Sequence, residues 1–148
     1  MHIVTPKETI IEYTRLSTFD RLPDGRPNVP EDLIQRLKKA TTEEAWGVIR
    51  KHGYHLQFEG NWKQTHPDQV LVGRCVTAMM VPHRPDFHDL VQEQGDSEGR
   101  IGGQNSWVID TLIEGDVLVV DMFGKVKNGT FIGDNLGTSI RTKTKRGA

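Results

Sequence analysis

The stretch Asp116–Gly137, DVLVVDMFGKVKNGTFIGDNLG, gathers the residue types best suited to handling a small anion. An apolar run (Val117, Leu118, Val119, Val120) reads as a strand, and Asn128-Gly129 reads as a hairpin-like turn. Gly133-Asp134-Asn135-Leu136 then opens a helix. A helix N-terminus presents unpaired amides and the positive end of its dipole, so the N–H groups of Asn135 and Leu136 are placed to bind a carboxylate. Asp134 can take up or release a proton beside that carboxylate, and Gly133 lets the loop lie close to a ligand. The bland alternative is equally physical: an aspartate at this position caps a helix whether or not anything binds there.

Other residues with chemical potential form weaker patterns. His83 and His88 flank Arg84-Pro85-Asp86-Phe87, but a tetrahedral metal site wants three or four converging ligands at a known spacing, which this segment does not offer. Both read as surface or helix-start histidines. Cys75 lies inside the apolar run VLVGRCVTAMMV and reads as a small buried filler. Asn128-Gly129-Thr130 matches a glycosylation sequon, but reads as a turn between Val126 and Phe131. Gly99, Gly102 and Gly103 make no dinucleotide fingerprint, since no strand runs straight into them. Arg141, Lys143, Lys145 and Arg146 read as a solvated helix end favoured by the dipole. No aromatic residues interleave with them, so a nucleic-acid surface is not expected.

The elements that must position these residues follow from periodicity and punctuation. Pro6 to Leu16 predicts a short helix with Thr5 as N-cap. Leu22-Pro23-Asp24-Gly25-Arg26-Pro27 predicts a loop. Pro30 opens a helix whose apolar side is Leu33, Ile34 and Leu37. Thr41-x-x-Glu44 is a capping box for the next helix. Residues 54–67 predict an irregular connection. Gln69 to Val81, the longest apolar run, predicts a strand buried on both faces, with Gly73 permitting a bulge or a close approach. Asp86 is placed to cap a helix carrying Phe87, Leu90 and Val91. A helix from about Asn105 carries Val108, Ile109 and Leu112 into the strand at 117–121. This order favours an α/β layered domain. After Leu136 the helix continues to a C′ glycine at Gly147. A strand, turn and helix normally return to a parallel strand, and the sequence ends before supplying one.

Composition sets the outer limits. The 148 residues suffice for a domain with a core, at 35% hydrophobic content and a formal net charge of −1. Neither disorder nor electrostatic steering toward nucleic acid is implied. The N-terminus MHIVTPKETIIEY carries charges where a secretory leader would be apolar, and no run approaches the roughly 20 residues of a membrane span. A soluble, cytoplasmic protein is expected.

The segments LVGRCVTAMMVPHRPDF and GDVLVVDMFGKVKNGTFIGDNLGTSI resemble the RraA-like family. It comprises the regulator of ribonuclease E activity A, the metal-dependent 4-hydroxy-4-methyl-2-oxoglutarate aldolases, and sequences labelled demethylmenaquinone methyltransferase-like. The resemblance covers residues 68–148, as the N-terminal portion of an RraA-like α/β/β layered domain, similar to the swivelling phosphohistidine domain. Residues 1–67 resemble a helical N-terminal extension. The resemblance implies a divalent-metal-dependent C–C lyase acting on a 2-keto acid by aldol cleavage or decarboxylation. Asp134 would be its acid/base, and Gly133, Asn135 and Leu136 would hold the substrate carboxylate. The family's arginine, which binds the pyruvyl part, and its aspartate ligand for Mg²⁺ or Mn²⁺ fall about twenty residues further on, outside these residues. The lone chain is therefore expected to be inactive unless a second chain or a longer sequence supplies that segment. The resemblance also implies a homotrimer or hexamer. Two other functions remain open: a non-catalytic regulatory partner of an endoribonuclease, and a remnant that only oligomerises.

Overall fold

A computed structural model describes residues 2–125 and 127–148. The chain divides into two compact units, one made of Met1–Val29 with Gly73–Ala148 and the other of Pro30–Val72. The helical extension expected over residues 1–67 thus contributes to both.

In the first unit, β1 (Arg74–Met79) and β2 (Asp116–Asp121) pair in parallel, in register from Arg74↔Asp116 to Met79↔Asp121. A parallel pair needs a crossover connection, and α4 (Pro85–Ser97) and α5 (Gln104–Asp110) supply it. The fold is mixed α and β. β2 leads through a turn to α6 (Asp134–Thr144), while α1 (Lys7–Tyr13) precedes the loop at 22–27. Ile109, Leu112, Leu118, Phe131 and Ile140 form the core, with Val76, Met80, Val120 and Leu136 packed against it. Each large apolar side chain buried there is worth about 1.5–3 kcal/mol.

One sheet face meets that core and the other does not. Along β1, half-buried and exposed residues alternate, so Cys75, Thr77 and Met79 lie exposed. The expectation of a strand over 69–81 buried on both faces is corrected. The strand spans 74–79, and every second residue along it is exposed. Cys75 is an exposed thiol rather than a buried filler, because it falls on the open side of the alternation. Gly73 does permit a close approach: a β-carbon there would lie 2.6 Å from the Gly115 carbonyl oxygen.

Helix ends differ from the sequence reading in instructive ways. α1 starts one residue after Pro6, which serves as its N-cap, so Thr5 does not cap it. Arg84, not Asp86, is the N-cap of α4, because Pro85 has no amide to lose and takes the first helical position. Asp86 instead pairs with Arg84 at 2.6 Å. α6 ends at Lys145, which adopts a left-handed φ of 58° as C-cap, and not at Gly147. Gly147 is extended and forms a parallel bridge with Val117. Gly25 has a φ of 94°, as its place in the loop 22–27 requires.

The second unit holds α2 (Glu31–Leu37), with Ile34 buried, and α3 (Thr42–Lys51). The capping box forms as expected: Thr41 Oγ1 accepts from the Glu44 amide at 3.1 Å, and the Thr41 amide donates to Glu44 Oε2 at 2.8 Å. Trp46 packs on Phe58 at 5.6 Å between ring centroids, with the Arg50 guanidinium 5.2 Å from the Trp46 ring centroid.

Candidate functional site

The parallel order of β1 and β2 places the starts of α4, α5 and α6 after, or on the return toward, the carboxyl ends of the strands. Open α/β sheets bind their ligands at that end. The loop carrying Asp134 is fixed there from two sides. Met122, Phe123, Gly124 and Lys125 form a turn in which the Lys125 amide donates to the Met122 carbonyl at 3.1 Å. Both central residues have positive φ, 58° at Phe123 and 66° at Gly124. The hydrogen-bonded turn therefore precedes the Asn128-Gly129 position expected from sequence, although Asn128 also has a positive φ of 58°. Val126, the expected start of that turn's flank, lies outside the described residues. At the far end of the loop, Asn105 Nδ2 donates to the Phe131 carbonyl at 2.8 Å, joining the start of α5 to the buried Phe131.

Gly133 is the N-cap of α6 and Asp134 its first residue. Asp134 therefore does not cap the helix in the expected sense. Its carboxylate turns to the next amide, with Oδ1 accepting from Asn135 N–H at 2.8 Å. The Gly137 amide donates to the Gly133 carbonyl at 2.9 Å, closing the first turn. Among the described residues no hydrogen bond reaches the Leu136 amide, so it remains an unpaired donor of this helix start. Gly133, Asp134 and Asn135 are exposed, whereas the Leu136 side chain is half-buried against the core. A β-carbon at Gly133 would meet nothing within 4 Å, and its φ of −112° is open to any residue. Neither packing nor backbone conformation in this chain demands glycine there.

The four expected site residues thus lie together at one exposed helix start. A carboxylate oxygen already occupies the Asn135 amide, and it is the chain's own. An incoming carboxylate would meet the Leu136 amide directly and compete with Asp134 for Asn135. That competition would free Asp134 beside the bound anion.

Among the described residues no group of three or more His, Cys, Asp or Glu is placed to hold a metal. Asp134 alone offers one exposed carboxylate, half of it committed to Asn135. His83 and His88 come within 5.1 Å between ring centroids, edge to face, with His88 Nδ1 3.3 Å from Gln104 Nε2. Two exposed imidazoles are too few for a closed site. A shallow depression on α4, lined by Leu90, Glu93, Gln94 and Ser97, shares no residue with the α6 start.

One polar constellation was not legible from sequence. Asp116 is fully buried, and Arg26 grips it with two bonds, Nη1–Oδ1 at 3.0 Å and Nη2–Oδ2 at 3.1 Å. Arg74 Nε lies 3.4 Å from Oδ1, and the Ile113 amide donates to Oδ2 at 2.9 Å. Arg26 Nε also meets Asp24 Oδ2 at 2.6 Å. Burial alone would push the Arg26 guanidinium down, but its bonds to Asp116 and Asp24 hold it above its ordinary value. Burial likewise opposes ionisation of Asp24, and the Arg26 amide and guanidinium outweigh it, leaving that carboxyl below its ordinary value of 3.8. The Asp116 carboxylate is enclosed by protein donors, so this is an anchor tying the segment 1–29 to the sheet. The signal for it was Asp-x-Arg in a loop and Arg-then-Asp at two strand starts, which becomes a pattern only once the register is known.

A scan against protein-family models, a search of curated proteins and a search of solved structures each return no match for this chain.

Proposed function

We propose that the Gly133–Leu136 segment is the carboxylate-binding and proton-handling half of a C–C lyase site for a 2-keto acid. In this reading the chain is an RraA-like portion, metal-dependent by resemblance, and Asp134 is its acid/base. The observation that carries it is the carboxylate oxygen held 2.8 Å from the Asn135 amide at an exposed helix start. That contact supports the amides of this turn as receptors for an anionic oxygen.

The chain's own residues would act in sequence. The Leu136 amide and then the Asn135 amide bind the keto-acid carboxylate. Asp134, released from Asn135, moves a proton at the carbon or the hydroxyl of the bond that breaks. The arginine and the metal-holding aspartate implied by the resemblance are not among these residues, so no step through the metal is assigned. The substrate-binding half is tested by calorimetry with oxalate, an analogue of the pyruvate enolate. Saturable binding by the wild-type chain supports the reading. Heat indistinguishable from dilution at millimolar oxalate overturns it.

A second reading, a surface that oligomerises or takes a protein partner, is favoured by the bare sheet face. Met79 is 66% exposed and Val119 47%, side by side with Cys75 and Thr77. Contiguous apolar surface of this kind marks association sites. The homotrimer or hexamer expected from sequence belongs to this proposal.

A further inference from the structure

β1 ends where the Met80 amide donates to the Asp121 carbonyl at 2.8 Å. The residues that follow, Val81-Pro82-His83-Arg84-Pro85, carry two prolines, which fix φ on either side of His83-Arg84. Arg84 is extended, at φ −127° and ψ 112°, and Pro85 opens α4. His88 lies one turn on, its amide donating to the Arg84 carbonyl at 2.8 Å. His83 before the cap and His88 after it thus meet, with ring centroids 5.1 Å apart and planes inclined at 62°. Burial does not force them together, since residues 81–90 are all exposed. The short, stiff backbone does. It sets them beyond the carboxyl end of β1, the end at which open α/β sheets bind ligands.

We propose that His83 and His88 chelate one late first-row divalent cation, Zn²⁺, Ni²⁺ or Cu²⁺, in an open site. Two protein ligands fall short of a closed structural site, so the other positions go to water or an anionic oxygen. Three observations carry it. Two imidazoles on neighbouring positions of one ion have ring centres roughly 4.5–5.5 Å apart, given Zn–N distances of about 2.0–2.1 Å. The pair already stands at 5.1 Å, and χ2 of histidine is a soft torsion, so ring rotation alone aims both lone pairs at one point. An outer partner is also in place: Gln104 Nε2, at the start of α5, lies 3.3 Å from His88 Nδ1. Turned about, that amide offers its oxygen to Nδ1–H and leaves Nε2 as the ligating atom. Finally, the charge of Arg84 is offset by Asp86 at 2.6 Å, and Asp89 follows His88 directly. Imidazole suits Zn²⁺, Cu²⁺ and Ni²⁺, whereas Mg²⁺ and Mn²⁺ favour oxygen ligands. This inference is therefore independent of the chemistry proposed for Asp134.

The test titrates zinc chloride into the full chain by calorimetry, with the histidine Cε1–H resonances followed by NMR. One ion per chain is expected, with the His83 and His88 signals moving together. His83→Ala and His88→Ala, both at exposed positions, should leave the circular dichroism unchanged. Each is expected to weaken zinc binding about a hundredfold, and Gln104→Ala about tenfold, as loss of an outer partner does. The double variant His52→Ala/His55→Ala, which removes the other two histidines close in sequence, is expected to bind as wild type does. Absence of saturable binding would overturn the proposal. So would unchanged affinity in both single variants, or a loss confined to His52→Ala/His55→Ala. One ion per two chains would overturn the open site, because two copies would then close it with four imidazoles.

Discussion

Asp134 and Asp116 show how two aspartates in one short stretch take opposite roles. Asp134 is exposed at a helix start with one oxygen on an amide, whereas Asp116 is enclosed by two arginines and an amide. Breaking the second set leaves a buried charge without its partner, which costs about 3–5 kcal/mol. Arg26→Met and Asp116→Asn are each expected to lower unfolding stability by that order in denaturant titrations. The double variant should lose less than the sum of the two, because the partners act as one unit. Asp134→Asn should stay within about 0.5 kcal/mol of wild type, as expected for an exposed position. In any reconstituted complex that cleaves a 2-keto acid, the same substitution should abolish turnover, and retained turnover would sink the acid/base role. The Asp24 carboxyl is depressed below 3.8 by Arg26, so its contribution to stability is present above that value. It is lost as pH falls through the lower folded value. Acid unfolding should therefore move to higher pH in Asp24→Asn than a surface control such as Asp68→Asn. Gly-Asp-Asn-Leu after an apolar run is a local signal, which is why the sequence singles out Asp134 as a candidate. The sequence hid the Arg26–Asp116 pair because ninety positions separate the partners.

At the scale of elements, the close approaches decide what each helix tolerates. A β-carbon at Gly95 would come 2.2 Å from the Trp107 ring, so α4 and α5 meet where a side chain is missing. Gly95→Ala should cost about 1–3 kcal/mol by overpacking, and Trp107→Leu in the same chain should recover part of the loss. Lys145→Gly should stabilise α6 by up to about 1 kcal/mol, since glycine adopts the left-handed cap without strain. Equal or lower thermal stability in that variant would show that the Arg141 Nη1 bonds to the Lys145 and Arg146 carbonyls, at 2.7 and 3.1 Å, depend on the lysine backbone as it stands. Elements with local grammar were legible: the Thr41–Glu44 box, the Pro30 helix start and the apolar run of β2. The α4 cap at Arg84 and the α6 cap at Lys145 differ from the expected Asp86 and Gly147, because Pro85 takes the first helical position and tertiary pairing draws Gly147 into the sheet. The burial of β1 was overestimated because a continuous apolar run does not say how many faces are covered.

At the scale of the molecule, one side of the sheet is exposed over part of its length, beyond the buried Val117. The open side carries Met79, Val119, Thr77 and the Cys75 thiol. If that face drives self-association, Met79→Lys should shift the sedimentation profile toward monomer without changing the circular dichroism. An unchanged profile would remove the second reading of function. No helix among the described residues is long and apolar enough to cross a membrane.

The central claim, that the start of α6 receives a small carboxylate, is tested most directly by amide NMR during an oxalate titration. The account predicts saturable shifts at the Asn135 and Leu136 amides, with the Asn135 shift reporting displacement of the Asp134 carboxylate. In Asp134→Asn the Asn135 shift should appear at lower oxalate, because the competing charge is gone. Shifts spread over the basic end of α6 at Arg141, Lys143 and Lys145, with Asn135 and Leu136 unmoved, would contradict it.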